Sequence, residues 1–185
     1  MAAFGLIRRT VSYFAAALAR VSEGWTAAEL DLDGADNVEA VGDLLRDIQP
    51  DAELSLLFVE ADDEFLVVLR LDEGEDLRVF CSDAAFSDAS RIGEVLLAEL
   101  EESEVPVDLD ADDDDAVSSD DDEEEEAAEP VGHPVGDADL LTDLGISARD
   151  LLALCSHEGM LPADVMTEIC RKVGCADELQ NLRGE

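Results

Sequence analysis

The chain has 185 residues, of which 49 are acidic and 11 are basic, so its formal net charge is −38. A charge of this size repels nucleic acid and anionic membrane surfaces, which excludes direct binding to either of them. No apolar stretch approaches the roughly 20 residues that span a bilayer. The acidity is typical either of adaptation to high salt or of a negative face for a basic partner, and the sequence leaves both interpretations open.

The N-terminal apolar run has two interpretations. Two arginines precede Val11–Ala19, and the small residues at its end have the form of a signal-peptide cleavage site. The run is short, however, and it contains a serine and a tyrosine. Residues 13–20 and 25–32 also have the pattern of two strands joined by a short connection that ends in glycine, which favours a hairpin. Because alanines weaken this pattern, a helix over 13–20 is the alternative.

Two helices are predicted in the following part of the chain. Asn37 is a candidate N-cap, and apolar residues recur at helical spacing over residues 38–48 until Pro50 ends the pattern. A second helix is predicted over residues 84–102, with its apolar residues on one side.

Three further strands are predicted between these helices, over residues 54–59, 65–71 and 77–81, with acidic turns between them. The order of elements is then ββαβββα across residues 12–102. This order predicts an α+β domain with an antiparallel sheet of about five strands and its helices on one face.

An acidic run follows the predicted domain. Residues 108–129 contain fourteen acidic residues and no basic residue. Because like charges at this density repel one another and few apolar side chains are available for burial, we predict that residues 103–136 form a disordered linker. The run lacks the alternation and the central glycine of an EF-hand loop, so weak and non-specific cation binding is the most that it supports.

The C-terminal residues, 137–185, change to a helical period. Ser147 begins a capping-box pattern, and glycines stand where the predicted helices end. The predicted helical segments are 139–144, 148–157, 162–173 and 176–182. About 50 residues in short helices form only a marginal core, so this small module is expected to dock either on the first domain or on a partner.

Candidate catalytic and metal-binding residues are few. Four residues are of the types that bind zinc: Cys155, His157, Cys170 and Cys175. Their spacing differs from the zinc knuckles that place two cysteines two to four residues apart, so the cysteines, with Cys81, are interpreted as small core residues in a reducing cytosol. Neither His157 nor His133 stands near a persuasive nucleophile. We therefore predict no catalytic residue, no cofactor and no metal site.

The sole tryptophan, Trp25, and the sole tyrosine, Tyr13, stand in the two strands of the predicted hairpin. A cross-strand packing pair is the expectation. For Trp25 the alternative is a contact with a partner protein.

Several segments of the chain resemble a known family. These segments are residues 12–19 with 24–26, 56–64, 78–85, 139–145 and 151–163. Together they resemble the tRNA adenosine deaminase-associated proteins of actinobacteria, whereas the acidic run matches poorly. The resemblance implies a link to the enzyme that edits adenosine to inosine at the tRNA wobble position. It begins near Ser12, so residues 1–11 are expected to be an extension. The deaminase motifs H-x-E and P-C-x-x-C are not found around the histidines and cysteines of this chain, which is therefore not itself a deaminase.

These observations predict a non-enzymatic cytoplasmic accessory protein that contacts tRNA adenosine deaminase without binding nucleic acid or membrane. Its expected parts are the extension 1–11, the α+β domain 12–102, the linker 103–136 and the helical module 137–185. The predicted partner-binding residues are Asp112, Asp113, Asp114, Asp115, Glu123, Glu124, Glu125, Glu126 and Trp25. The alternatives are an acidic halophile-type protein with an unrelated partner and an uncharacterised metal-dependent enzyme. The sequence leaves the oligomeric state open.

Overall fold

The computed structural model describes residues 12–98, 100 and 132–184. They form a six-stranded antiparallel sheet with the strand order β2-β1-β3-β4-β5-β6. The strands are β1 (Tyr13–Val21), β2 (Gly24–Glu29), β3 (Leu54–Ala61), β4 (Phe65–Asp72), β5 (Asp76–Cys81) and β6 (Val135–Gly136). The predicted α+β class and the predicted N-terminal hairpin are confirmed. Residues 13–19 of the N-terminal apolar run belong to β1, which lies between β2 and β3 in the sheet.

Both faces of the sheet are covered, which explains why its central strands are apolar without interruption. In β3, residues 54–59 are all buried, and alternate side chains enter two separate apolar clusters. Leu57 and Val59 belong to one cluster, while Leu56 and Phe58 belong to the other. A strand that is buried on both faces loses the alternation of polar and apolar residues that a half-exposed strand shows.

The first face is covered by the helices α1 (Val38–Ile48), α2 (Phe86–Ala89) and α3 (Arg91–Leu97). The predicted cap of α1 is confirmed, because the Asn37 side chain accepts a hydrogen bond from the Ala40 N–H at 2.8 Å. The single helix predicted over 84–102 is wrong. Ser90 interrupts it with extended backbone, and its hydroxyl accepts from the Gly93 N–H at 2.9 Å, so it ends α2 and caps α3.

The second face is covered by the C-terminal helices α4 (Ala148–Ser156), α5 (Pro162–Val173) and α6 (Ala176–Arg183), after a short 3-10 helix at Thr142–Leu144. Buried side chains of α5 and α6 share one apolar cluster with side chains of the sheet. Arg183 adds a polar contact, because its guanidinium lies 2.7 Å from the Glu60 carboxylate of β3. The C-terminal helices therefore dock on the sheet, which the sequence left open.

The described residues that precede and follow the acidic run in sequence lie at the same side of the sheet. Leu100 packs against the first apolar cluster together with Val135 of β6. Just before β6, the His133 carbonyl accepts from the Ala84 N–H at 2.8 Å. Residues 135 and 136, which the sequence analysis placed in the linker, thus extend the sheet beyond β5. The rest of the predicted disordered linker, up to residue 131, lies outside the described residues, so its disorder stays a prediction.

Within the described residues, no helix combines the length and the apolar character that crossing a membrane requires. The cysteines are free thiols: Cys81, Cys170 and Cys175 are buried, and Cys155 is partly buried. The interpretation as small core residues is confirmed by burial for Cys81, Cys170 and Cys175, whereas Cys155 is only partly buried.

Candidate partner-binding surface

The surface of the described residues is strongly acidic. These residues include 30 acidic and nine basic side chains, a formal charge of −21. Six of the nine basic side chains form ion pairs with carboxylates of the chain itself, namely Arg46, Arg70, Arg78, Arg91, Arg171 and Arg183. Because most of the positive charge is neutralised internally, the surface presents an excess of carboxylates to any partner.

One end of the sheet gathers acidic loops from different parts of the sequence. The register pairs Tyr13 with Ala61 and Ala61 with Phe65, so the start of β1 lies beside the β3–β4 turn. That turn carries Asp62, Asp63 and Glu64, which are all exposed.

The loop after β2 reaches the same end of the sheet through Tyr13. The Tyr13 hydroxyl donates to Asp33 at 3.1 Å and accepts from the Leu32 N–H at 2.9 Å. Burial, followed by the neighbouring carboxylates of Asp31 and Asp33, raises the pKa of Tyr13 to about 12, although the Leu32 hydrogen bond opposes this shift. The phenol therefore stays protonated and fixes the acidic loop against β1.

Trp25 lies on β2, directly opposite Arg20 of β1. The Arg20 guanidinium is 5.9 Å from the centre of the indole ring, within the range of a cation–π contact. The indole packs on the cluster that β2 shares with α6, whereas Tyr13 packs on the cluster at the opposite face. The predicted cross-strand pair of Trp25 and Tyr13 is therefore wrong, because the hairpin register places the two rings on different faces. Trp25 is only half-buried, and its contact with a partner stays a prediction.

The other predicted partner-binding residues belong to the acidic run and lie outside the described residues. They are Asp112, Asp113, Asp114, Asp115, Glu123, Glu124, Glu125 and Glu126. The structure places the flanks of the run at the β5–β6 side of the sheet, away from Trp25 on the opposite edge strand. The predicted residues are therefore not shown to form one site.

A cleft that sequence reasoning missed lies between the β3–β4 turn and the loop that joins α4 to α5. It has a volume of about 470 Å³ and is lined by residues from three regions of the chain, around 63–66, at Ser82 and over 155–165. Its one signal in the sequence is the acidic turn between the two apolar strands, and in the structure Asp62 and Asp63 of that turn have φ of 53° and 55°. Glycine and asparagine are the usual residues at such positive φ values.

Cys155 and His157 both line this cleft, but they do not form an activated nucleophile. Burial raises the pKa of the Cys155 thiol to about 12, so the thiolate is scarce at neutral pH. His157 is exposed, and its Nδ1 lies 3.0 Å from the Glu158 carbonyl oxygen.

The remaining cysteines and carboxylates give no stronger candidate. The pKa of Cys170 is raised by a hydrogen bond with Cys175 and by burial. Among the residues that the structure describes, no three His, Cys, Asp or Glu side chains are grouped closely enough to hold a metal ion.

The fold and the surface define an acidic α+β protein in which a central antiparallel sheet carries helices on both faces. The profile of the Rv3753c-like tRNA adenosine deaminase-associated protein family matches residues 13–176. The chain therefore belongs to this family, which confirms the resemblance seen in the sequence. The family is named for its association with the deaminase. No curated protein and no solved structure was found to match the chain.

Proposed function

We propose that this protein is a non-enzymatic cytoplasmic accessory protein that binds tRNA adenosine deaminase directly. The observation that carries the proposal is the pairing of six of nine described basic side chains within the chain, which leaves an acidic surface. A tRNA-binding enzyme needs a basic surface to contact phosphates. The two surfaces are complementary in charge, and the family name supplies the association.

In this proposal the acidic protein occupies the tRNA-binding surface of the deaminase until tRNA displaces it. The run 108–129 adds fourteen carboxylates to the chain, and its charge accelerates the encounter. Trp25 supplies a partly exposed aromatic side chain of the kind that anchors protein interfaces. Occupation of this kind either restrains the deaminase or keeps it soluble until tRNA displaces the acidic protein.

The test is to measure the association of the full chain with purified deaminase across a salt series. Electrostatic association should weaken steeply between about 50 and 200 mM salt, because the Debye length falls to about 8 Å near physiological ionic strength. Deleting 108–129 should slow association more than it speeds dissociation. A matched variant replaces the fourteen acidic residues with serine and asparagine, which keeps the length of the segment. If the deaminase does not bind even at 50 mM salt, direct contact is refuted.

The halophile-type alternative makes a different prediction. If the carboxylates serve only to keep the protein hydrated in concentrated salt, molar KCl should stabilise the fold strongly and deaminase binding should be absent at every salt concentration. The same purified chain serves both measurements. Binding at low salt with weak salt stabilisation would favour the accessory role.

A further inference from the structure

The cleft beside the β3–β4 turn combines an apolar floor with an acidic rim. Leu66 and Val165 are buried side chains of β4 and α5 that line its floor. The carboxylate-bearing residues Asp63, Glu64 and Glu158 line its mouth, and all three are exposed. An apolar floor below a charged rim is the environment that a long basic side chain prefers, since its methylenes bury while its head group keeps polar contacts.

The two serine hydroxyls that line the cleft each take part in a hydrogen bond within the chain. Ser82 Oγ accepts from the Leu66 N–H at 3.0 Å. The Ser156 hydroxyl donates to the Leu152 carbonyl at 2.8 Å. In contrast, no basic side chain of the described residues forms an ion pair with Asp63, Glu64 or Glu158.

An exposed apolar residue lies between two residues that line this cleft. Leu161 is 47% exposed, and within the described residues it is the one large hydrophobic side chain classed as exposed. It begins α5, between Met160 and Pro162, which both line the cleft. Exposed leucine is common on protein surfaces, but here it adjoins a cavity with unneutralised charge.

We propose that this cleft binds an arginine side chain of a partner protein, while Leu161 contacts an apolar residue next to that arginine. The arginine stem lies on the floor formed by Leu66 and Val165, and the guanidinium faces the carboxylates of Glu64 and Glu158. Arginine suits the site better than lysine, because its planar head group is more weakly hydrated and binds carboxylates through several donors. The proposal goes beyond the accessory role, since it requires a basic segment on a partner but not that the partner be the deaminase.

The test uses the ¹⁵N-labelled full chain and the peptide acetyl-Ala-Leu-Arg-Ala-amide, followed by NMR titration. A second peptide carries citrulline, the neutral isostere, in place of arginine. We expect the arginine peptide to shift the amide signals of Glu64, His157 and Leu161, and the citrulline peptide to bind about tenfold more weakly, because it lacks the charge. Equal binding of the two peptides, shifts spread evenly over the acidic surface, or the lack of any shift at about 10 mM peptide would overturn the proposal.

Two double variants with the same change in charge separate the cleft from the general acidity. The variant Glu64→Gln with Glu158→Gln should weaken binding of the arginine peptide about tenfold. The matched control is Glu73→Gln with Glu75→Gln, in the turn at the opposite end of the sheet, and it should change the affinity by less than about twofold. Equal weakening by both variants would show attraction to the overall charge and contradict a built site. Because neither the peptide nor the readout involves the deaminase, failure here leaves the accessory role standing.

Discussion

Arg70 of β4 and Asp143 of the 3-10 helix form an ion pair across 73 residues of sequence that include the entire acidic run. The Arg70 Nη2 donates to the Asp143 carboxylate at 2.8 Å, and the Arg70 Nη1 donates to the Leu140 carbonyl at 2.6 Å. The Arg70 Nε lies 2.9 Å from Asp72 on its own strand. Arg70 is only 5% exposed. One buried side chain thus joins the sheet to the start of the C-terminal helices.

Replacing Arg70 with methionine should destabilise the protein by about 2–3 kcal/mol. This is less than the roughly 3–5 kcal/mol lost when a fully buried pair is broken, because water can reach the freed carboxylate of Asp143. Chemical denaturation measures the loss, and amide exchange should increase in α4–α6 more than in β1–β3. The control Asp143→Asn keeps an acceptor oxygen and should lose less. Unchanged exchange in α4–α6 would mean that Arg70 does not hold these helices.

The same ion pair should make part of the stability depend on pH. Hydrogen bonding and charge from Arg70 lower the pKa of Asp143 below its ordinary value of 3.8, although burial opposes this shift. A carboxyl group with a lowered folded-state pKa stabilises the fold above its unfolded-state pKa, and that stabilisation is lost as the pH falls through the folded-state pKa. The difference in unfolding free energy between wild type and Asp143→Asn should therefore be full at pH 6 and shrink below about pH 4.

The pH measurement needs a control, because protonating many carboxylates also reduces the repulsion within this acidic chain. The exposed Asp51 provides it, since Asp51→Asn removes a carboxylate without breaking an ion pair found in the described residues. A stability difference for Asp143→Asn that is constant from pH 6 to pH 3 would contradict the prediction.

Two glycines in helices should respond in opposite ways to alanine. A Cβ added at Gly93 of α3 would lie 1.9 Å from the Phe86 carbonyl oxygen, so Gly93→Ala must displace backbone and should cost about 1–3 kcal/mol. At Gly42 of α1 the nearest atom, in Leu77, is 3.6 Å away, which is an ordinary contact. Gly42→Ala should stabilise the protein by about 0.5–1 kcal/mol, since alanine favours the helix. Thermal unfolding of both variants measures the two changes in stability. If both substitutions stabilise the protein, the close packing of α3 on α2 is disproved.

Cys155 should react slowly with alkylating reagents in the folded protein. Burial raises the pKa of its thiol from 9.0 to about 12, so the thiolate fraction at pH 8 is roughly a thousandfold lower than in an unfolded chain. Iodoacetamide labelling followed by mass spectrometry measures the rate, with the protein in denaturant as the reference. Native labelling of Cys155 at the denatured rate would contradict the raised pKa, and only labelling faster than that rate would show an activated thiol.

Local patterns in the sequence predicted most of the elements. Asn37 begins α1 and Ser147 begins α4 because their side chains cap the N–H groups of the next turn, an interaction within three residues. The break at Ser90 escaped prediction, although serine is a common cap, because the apolar residues on both sides keep a helical spacing. At this break Gly93 packs closely against Phe86. The spacing of apolar residues in the sequence does not reveal such a contact.

The sequence by itself determined the acidity, five of the six described strands, most helices and the family of this protein, since these depend on composition and on neighbours along the chain. Only the tertiary structure decided that the C-terminal helices cover the second face, that Arg70 binds Asp143, and that Glu64 and Glu158 meet at one cleft. The contacts of Arg70 with Leu140 and Asp143 join residues that are 70 and 73 positions apart in the sequence. The periodicity of a segment carries no information on contacts between residues so far apart in the sequence. They form because burying both apolar faces of the sheet brings distant segments together, and the polar side chains then pair where that packing leaves them.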